Sequence, residues 1–218
     1  MSTILKQLIT GPSVWTANDY TNDQSYIHHL SQQDVANINS ALSALNNAGR
    51  SYPKFNQTDF PLAQFGAKLT RLADELEDGR GFFLLRGLPL DDYSEDQVHT
   101  IYYGIGLHLG IPVGQNPRGD ILGGVENNGD PHDKQTRVYE TNLYLPYHTD
   151  PSDVVGLLCL RQAKRGGLSS LVSGAAIYNQ LLSQHPEYLG LYYKTYHYAH
   201  LGKDLPTPSH LFSYHQSK

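Results

Sequence analysis

The sequence has almost no cysteine. Cys159 stands alone among 218 residues, so an internal disulfide is excluded and a reducing compartment suits the chain. No apolar run reaches the length of a membrane span. Residues 1–12 contain Ile4, Leu5, Leu8 and Ile9 but neither the continuous apolar core nor the cleavage site of a secretory leader. A cytoplasmic protein is therefore expected. Lys and Arg form no cluster, and a net charge of −5 lacks the positive footprint that nucleic acids or anionic membranes require. Neither partner is expected, which leaves small-molecule chemistry. Arginine is absent after Arg165, and there is no internal repeat or low-complexity tract.

The remaining composition is that of a globular protein: 39% hydrophobic, 17% charged and 20 glycines, in a length that suits one domain with an appended arm. Sixteen tyrosines against 6 phenylalanines imply many half-buried aromatics whose hydroxyls find partners. Cys159, within the apolar run Val154–Leu160, reads as a small buried hydrophobe.

Residues 1–33 read as an arm. Val35, Ile38, Leu42 and Leu45 have helical spacing over Asp34–Ala48, with caps between Ser31 and Asp34 and a stop at Gly49. A stronger helix follows Asp59, with Pro61 in its first turn, Leu62, Phe65, Leu69, Leu72 and Leu76 on one stripe, and Gly79 at its end. The glycine-bounded run from Gly81 to Gly87 predicts a buried strand. Ser94 and Gln97 form a capping box for a helix that carries Val98, Ile101, Ile105 and Leu109 to Gly110. Gly104 and Gly106 lie inside that helical pattern, which argues against a dinucleotide-binding turn.

A Gly- and Asn-rich stretch from Val113 to Asp133 predicts turns. Strands are expected at Val138–Leu145, Val154–Leu160 and Ser169–Ser173, helices at Ala175–Ser183 and Pro186–Lys194, and a strand-like tetrad at Leu211–Tyr214.

Between the first two of those strands lies Leu145-Pro146-Tyr147-His148-Thr149-Asp150. In extended backbone His148 and Asp150 point to the same side, which offers an imidazole and a carboxylate to a divalent first-row metal. A His-x-Asp is also common as a solvated loop pair or a simple hydrogen-bonded pair, and the spacing alone leaves these readings open.

The surrounding blocks carry more specificity. Tyr139-Glu140-Thr141-Asn142, the Leu145–Asp150 segment, Asp153–Leu160 and Ala163-Lys164-Arg165-Gly166-Gly167-Leu168-Ser169-Ser170 together resemble the TauD/TfdA family of Fe(II)- and 2-oxoglutarate-dependent dioxygenases, which has the clavaminate synthase-like fold. Gly79–Gly87, the Ser94 helix and His185-Pro186-Glu187-Tyr188 are similar to further parts of that family. The resemblance implies an α+β protein built on a double-stranded β-helix, a cupin-like jelly roll with flanking helices. It implies residues 1–58 as an N-terminal arm and helix, and 59–218 as the front part of the dioxygenase domain. It also implies His148 and Asp150 as catalytic iron ligands, Ser169 as a contact to the co-substrate 2-oxoglutarate, and dioxygen with a small organic molecule as the reacting partners. The reaction implied is hydroxylation by ferryl hydrogen abstraction. Tyr144 and Asn142, just before the metal segment, are candidates to face substrate. So is Asn116, with ordinary strand aromatics and turn polars as the competing reading.

The family pattern calls for a distal His and an Arg whose fork holds the far carboxylate of 2-oxoglutarate. Arg165 is the last arginine, so the likeness implies a chain truncated at its C-terminus, with weak metal binding and little turnover by itself. His200, with Lys203 or Lys218 in place of the Arg, is the internal alternative. Two other classes remain at this stage: a catalytically dead dioxygenase-like binding module, and a metal-dependent hydrolase built on His148, Asp150 and a later His.

Overall fold

The computed structural model describes residues 4–116, 119–133, 136–198 and 207–214. These fall into two compact units. One comprises residues 20–125 and 147–170, and the other residues 1–19, 126–146 and 171–218.

The larger unit is built from three helices, α1 (Gln32–Asn47), α2 (Ala63–Asp78) and α3 (Glu95–Gly106), with a two-stranded sheet of β1 (Ile27–His29) and β2 (Leu84–Arg86). Each helix begins or ends where local chemistry dictates. Ser31 and Asp34 cap α1 reciprocally: the Ser31 backbone N–H donates to Asp34 Oδ2 at 2.9 Å and the Asp34 N–H donates to Ser31 Oγ at 3.1 Å. Gly49, at φ 64°, turns the chain just beyond it. Ser94 and Gln97 do the same for α3, at 2.9 and 3.3 Å. The α2 helix starts at Ala63, after Pro61 rather than around it. Asn56 and Asp59 instead cap a separate 3-10 turn at Gln57–Asp59, and α2 itself starts without a side-chain cap.

The helices bury one stripe each. Ile38, Ala41, Leu42 and Leu45 of α1, Phe65, Leu69 and Leu72 of α2, and Ile101 and Ile105 of α3 enclose Phe55, Phe60 and Leu62. Removing such side chains from water stabilises the unit by about 1.5–3 kcal/mol each. Gly104 is reserved by packing, since a Cβ there would overlap the Phe60 ring. This is the physical meaning of a glycine in mid-helix that would otherwise weaken it.

The sheet departs from expectation. Ile27–His29 pairs in parallel with Leu84–Arg86, in the register Ile27 with Leu84 and His29 with Arg86. The buried strand expected across Gly81–Gly87 is thus three residues long, and Leu84 and Arg86 are exposed. The α3 helix ends at Gly106 and continues to Leu109 only as turns.

The second unit centres on α4 (Gly174–Gln184). Its N-cap Ser173 accepts from the Ala176 N–H at 2.9 Å and donates to the Ser13 carbonyl at 2.6 Å. Pro186 opens a 3-10 turn, Pro186–Tyr188, that leads into the single-turn α5 (Leu189–Tyr192), where one longer helix was expected. A hairpin-like pair, β3 (Tyr196–Tyr198) and β4 (Thr207–Ser209), is antiparallel. Phe212 does not extend a strand. It stacks on Tyr192 with centroids 5.2 Å apart and meets Tyr178 edge-on at 5.6 Å, while its N–H and that of Leu211 donate to the Tyr192 carbonyl.

The strands expected around the site segment are absent from the described residues. Val138–Glu140 forms a 3-10 turn, closed by the Arg137 N–H donating to Glu140 Oε2 at 2.9 Å. The Glu140 carbonyl then accepts from Asn128 and Gly129, so this stretch closes the glycine-rich turn region. Val154–Leu160 and Ser169–Val172 have no ladder partner among the described residues. Their apolar side chains are correspondingly uncovered: Leu157 is 73% exposed and Leu171 61%. Cys159 is exposed as well, contrary to the buried position expected from its apolar neighbours. No helix among the described residues is long and apolar enough to cross a membrane.

Candidate metal site

His148, Asp150 and Ser169 all belong to the larger unit, within the segment 147–170. Nε2 of His148 lies 3.9 Å from Oδ1 of Asp150, and both side chains are about half exposed, at 48% and 49%. The i, i+2 spacing puts the two donors on one side of the backbone with only Thr149 between them.

An imidazole nitrogen and a carboxylate oxygen are donor types that suit Fe(II) and its neighbours in the first transition row. Two donors bound at about 2.1 Å and at a right angle stand about 3 Å apart, so an ion between these tips requires them to close by about 1 Å. Half-exposed side chains can rotate by that amount at little cost. The pair therefore fits a metal as two ligands. Among the described residues no third His, Cys, Asp or Glu joins them. The internal alternative, His200, lies outside the described residues, as do Lys203 and Lys218.

Of the later histidines that are described, His185 stacks on Tyr188 at 5.5 Å and its Nδ1 lies 3.4 Å from Glu187 Oε1. His197 sits in β3 opposite Pro208. His185, His197 and His210 all belong to the second unit. Ser169 is exposed and follows Gly166 and Gly167, both of which have positive φ (71° and 70°) and turn the chain sharply just before it.

The substrate candidates are dispersed. Tyr144, 76% exposed, and Asn142 belong to the second unit. Asn116 is engaged in its own loop: its Nδ2 donates to Asp120 Oδ2 at 2.7 Å and its Oδ1 accepts from the Asp120 N–H at 3.2 Å. That is the behaviour of a turn residue, the competing reading of its sequence. A cleft lined by Ile4, Lys6, Leu182, Pro186, Leu189 and Gly190 lies in the second unit and includes none of the candidate residues.

One neighbour of the site segment had no signal in the sequence. The phenol of Tyr102, on α3, stands against Gly156, where a Cβ would lie 2.7 Å from the hydroxyl oxygen. A helix residue and a loop glycine so far apart in the chain share no periodicity that could reveal the contact.

Comparison with known proteins adds a family to this geometry. The profile of the taurine catabolism dioxygenase TauD, TfdA family matches residues 47–217. FR-33289 synthase of Streptomyces rubellomurinus is 33% identical over 225 residues, an alignment that takes in all of this chain and 66% of that protein. A taurine hydroxylase-like protein, SAT17, of Stachybotrys chartarum is 29% identical over 181 residues, 79% of this chain and 47% of that protein. The chain thus spans just under two thirds of the length of one of these relatives and about half of the other.

Proposed function

Because the chain belongs to the TauD/TfdA dioxygenase family, we propose that it works as an Fe(II)- and 2-oxoglutarate-dependent oxygenase that hydroxylates a small organic molecule. The observation that carries this reading is the His148–Asp150 pair, with Nε2 and Oδ1 3.9 Å apart inside the matched span. The names of the two relatives, a synthase and a hydroxylase-like protein, accord with it.

In this reading His148 and Asp150 are two of the protein's iron ligands. The neutral imidazole donates its Nε2 lone pair, and the carboxylate supplies negative charge that offsets that of the cation. Bound iron would supply the reduction of dioxygen coupled to decarboxylation of 2-oxoglutarate. The Ser169 hydroxyl, set by the turn at Gly166-Gly167, donates a hydrogen bond to a carboxylate of 2-oxoglutarate and orients it. Tyr144 is assigned to the substrate side, where its aromatic face and hydroxyl can contact an organic molecule. A third ligand is not assigned among the described residues; His200, outside them, is only the internal alternative. The fold proposed for the working protein is the double-stranded β-helix with flanking helices, its family domain over residues 59–218 after an arm and helix at 1–58. A cytoplasmic location is proposed with it.

The test is anaerobic titration of the full chain with Fe(II), and with Co(II) as a spectroscopic substitute, followed by measurement of carbon dioxide released from labelled 2-oxoglutarate. His148→Ala and Asp150→Ala are each expected to abolish the metal binding, weak as it is, and with it the little 2-oxoglutarate turnover that the chain supports. Metal binding unaltered in both variants would overturn the assignment. Zn²⁺-supported hydrolysis without any need for oxygen would replace it with hydrolase chemistry.

A further inference from the structure

The segment that carries the candidate ligands is poorly tied down. Among the described residues no backbone ladder holds 149–172, and the apolar side chains along it face solvent. Yet two ligands hold a metal tightly only when their directions are set beforehand. Something must fix where this segment lies relative to the helical core of its own unit.

The α3 helix is the rigid side of that arrangement. Its capping box is complete, and Val98, Ile101 and Ile105 are buried. Tyr102, next to the fully buried Ile101, is half-buried and directs its ring end onto Gly156. A Cβ at Gly156 would come within 2.7 Å of the Tyr102 hydroxyl, 3.6 Å of Cζ and 3.8 Å of Cε2. Gly156 does not adopt a positive φ, so its backbone would accept alanine. The space, and not the conformation, reserves this position for glycine. Among the described residues the Tyr102 hydroxyl makes no hydrogen bond, so the contact is one of shape. Burial alone pushes the phenol pKa up, consistent with a ring end shielded by the segment that lies on it.

We propose that Tyr102 is a positioning residue for the His148–Asp150 pair, its ring seating Gly156 against α3 and so fixing the course of the segment that presents the two ligands. The inference rests on the iron-site reading of that pair. Tyr102 itself is not placed on substrate, co-substrate or metal.

The contact supplies its own suppressor. Gly156→Ala pushes the segment off the ring, and Tyr102→Phe removes the atom that the new methyl would strike. Three variants of the full chain (Gly156→Ala, Tyr102→Phe and the double substitution) are compared with His148→Ala by anaerobic Co(II) titration and by deuterium uptake of peptides covering 147–170. Gly156→Ala is expected to weaken metal binding on the order of tenfold, as loss of a ligand-supporting group does, and to speed exchange in that segment. Tyr102→Phe alone, which keeps the ring and loses only the hydroxyl contact, is expected to weaken metal binding less than Gly156→Ala does, and the double variant to regain most of the affinity that Gly156→Ala loses.

A double variant as weak as Gly156→Ala overturns the proposal, because a merely structural glycine would show no specific rescue. If His148→Ala abolishes binding while Gly156→Ala leaves it unchanged, the iron site stands and the positioning role falls. If no variant, His148→Ala included, alters metal affinity, the iron reading fails and takes the role with it, even where the exchange pattern shows rescue. Should Gly156→Ala not fold, Tyr102→Ala removes the seat without crowding. It is expected to weaken metal binding to a similar degree, and unchanged affinity there also overturns the proposal.

Discussion

The side-chain amide of Asn179 pairs with both backbone groups of Ile9. Its Oδ1 accepts from the Ile9 N–H at 2.8 Å and its Nδ2 donates to the Ile9 carbonyl at 2.8 Å. An α4 side chain thereby takes the place of a neighbouring strand and satisfies a stretch of arm that has no ladder of its own. The Tyr178 hydroxyl adds a bond to the Leu5 carbonyl at 2.6 Å, and Ser173 another to Ser13.

Asn179→Ala leaves two partly buried backbone groups without partners. At about 1–3 kcal/mol for each unsatisfied group, the arm is expected to detach locally while α4 persists. Deuterium uptake over residues 5–13 should rise well above wild type with little change in the helical signal. Unchanged protection of those residues would show that the arm is held by its apolar contacts instead.

Gly104 and Gly106 make a matched pair on α3. At Gly104 a methyl would strike the fully buried Phe60 ring, whereas at Gly106 there is nothing within 4 Å. Overpacking costs about 1–3 kcal/mol and outweighs the roughly 1 kcal/mol that alanine gains over glycine in a helix. Gly104→Ala is therefore expected to lower the urea midpoint, and Gly106→Ala to leave it unchanged or raise it. A Gly104→Ala protein as stable as wild type would mean that Phe60 has room to move.

Asp34 links stability to acidity. Burial opposes its ionisation, but the Ser31 N–H, the Lys68 ammonium at 3.1 Å and the Ser31 hydroxyl outweigh burial and hold its carboxyl below the ordinary 3.8. A carboxylate with a depressed folded pKa contributes stability above its unfolded value and loses it as pH falls through the folded one. Asp34→Ala is expected to cost about 1–2 kcal/mol near neutral pH through the lost cap and ion pair. The gap to wild type should narrow below about pH 3.8. A gap that is constant across that range, measured by denaturation at each pH, would show that the carboxylate contributes by packing alone.

The three long helices, and the capping boxes of α1 and α3, were legible because each depends on residues within one or two turns. Ser31 with Asp34, Ser94 with Gln97, and the apolar stripes carry their own period. The strands were less legible because a strand is defined by a partner that its own residues do not name. Val154–Leu160 has a composition suited to β-structure, yet without a ladder among the described residues it stays irregular and uncovered, and Cys159 is exposed with it. Ile27–His29 is silent in the sequence for the opposite reason, since three residues are too short to show alternation although they do find a partner in Leu84–Arg86. At the site, the closeness of His148 and Asp150 follows from a spacing of two. The contact between Tyr102 and Gly156 depends on how α3 packs, which no local pattern encodes.

The role assigned to Ser169 separates from that of the ligands by what each variant should lose. A metal ligand acts on every later step, so His148→Ala is expected to remove turnover at any concentration of 2-oxoglutarate. A hydroxyl that only orients a co-substrate carboxylate contributes about 1.5 kcal/mol, the scale of a hydrogen bond to a charged group. That corresponds to a rise in the KM for 2-oxoglutarate on the order of tenfold in Ser169→Ala. Metal affinity in the absence of 2-oxoglutarate should stay as in wild type, because Ser169 is not in the donor set. Ser169→Thr, which keeps the hydroxyl, should restore most of the lost KM. A Ser169→Ala enzyme with unchanged KM would remove the residue from the co-substrate site. One that loses metal binding as well would show that the turn after Gly166-Gly167 supports the ligand segment rather than the 2-oxoglutarate carboxylate.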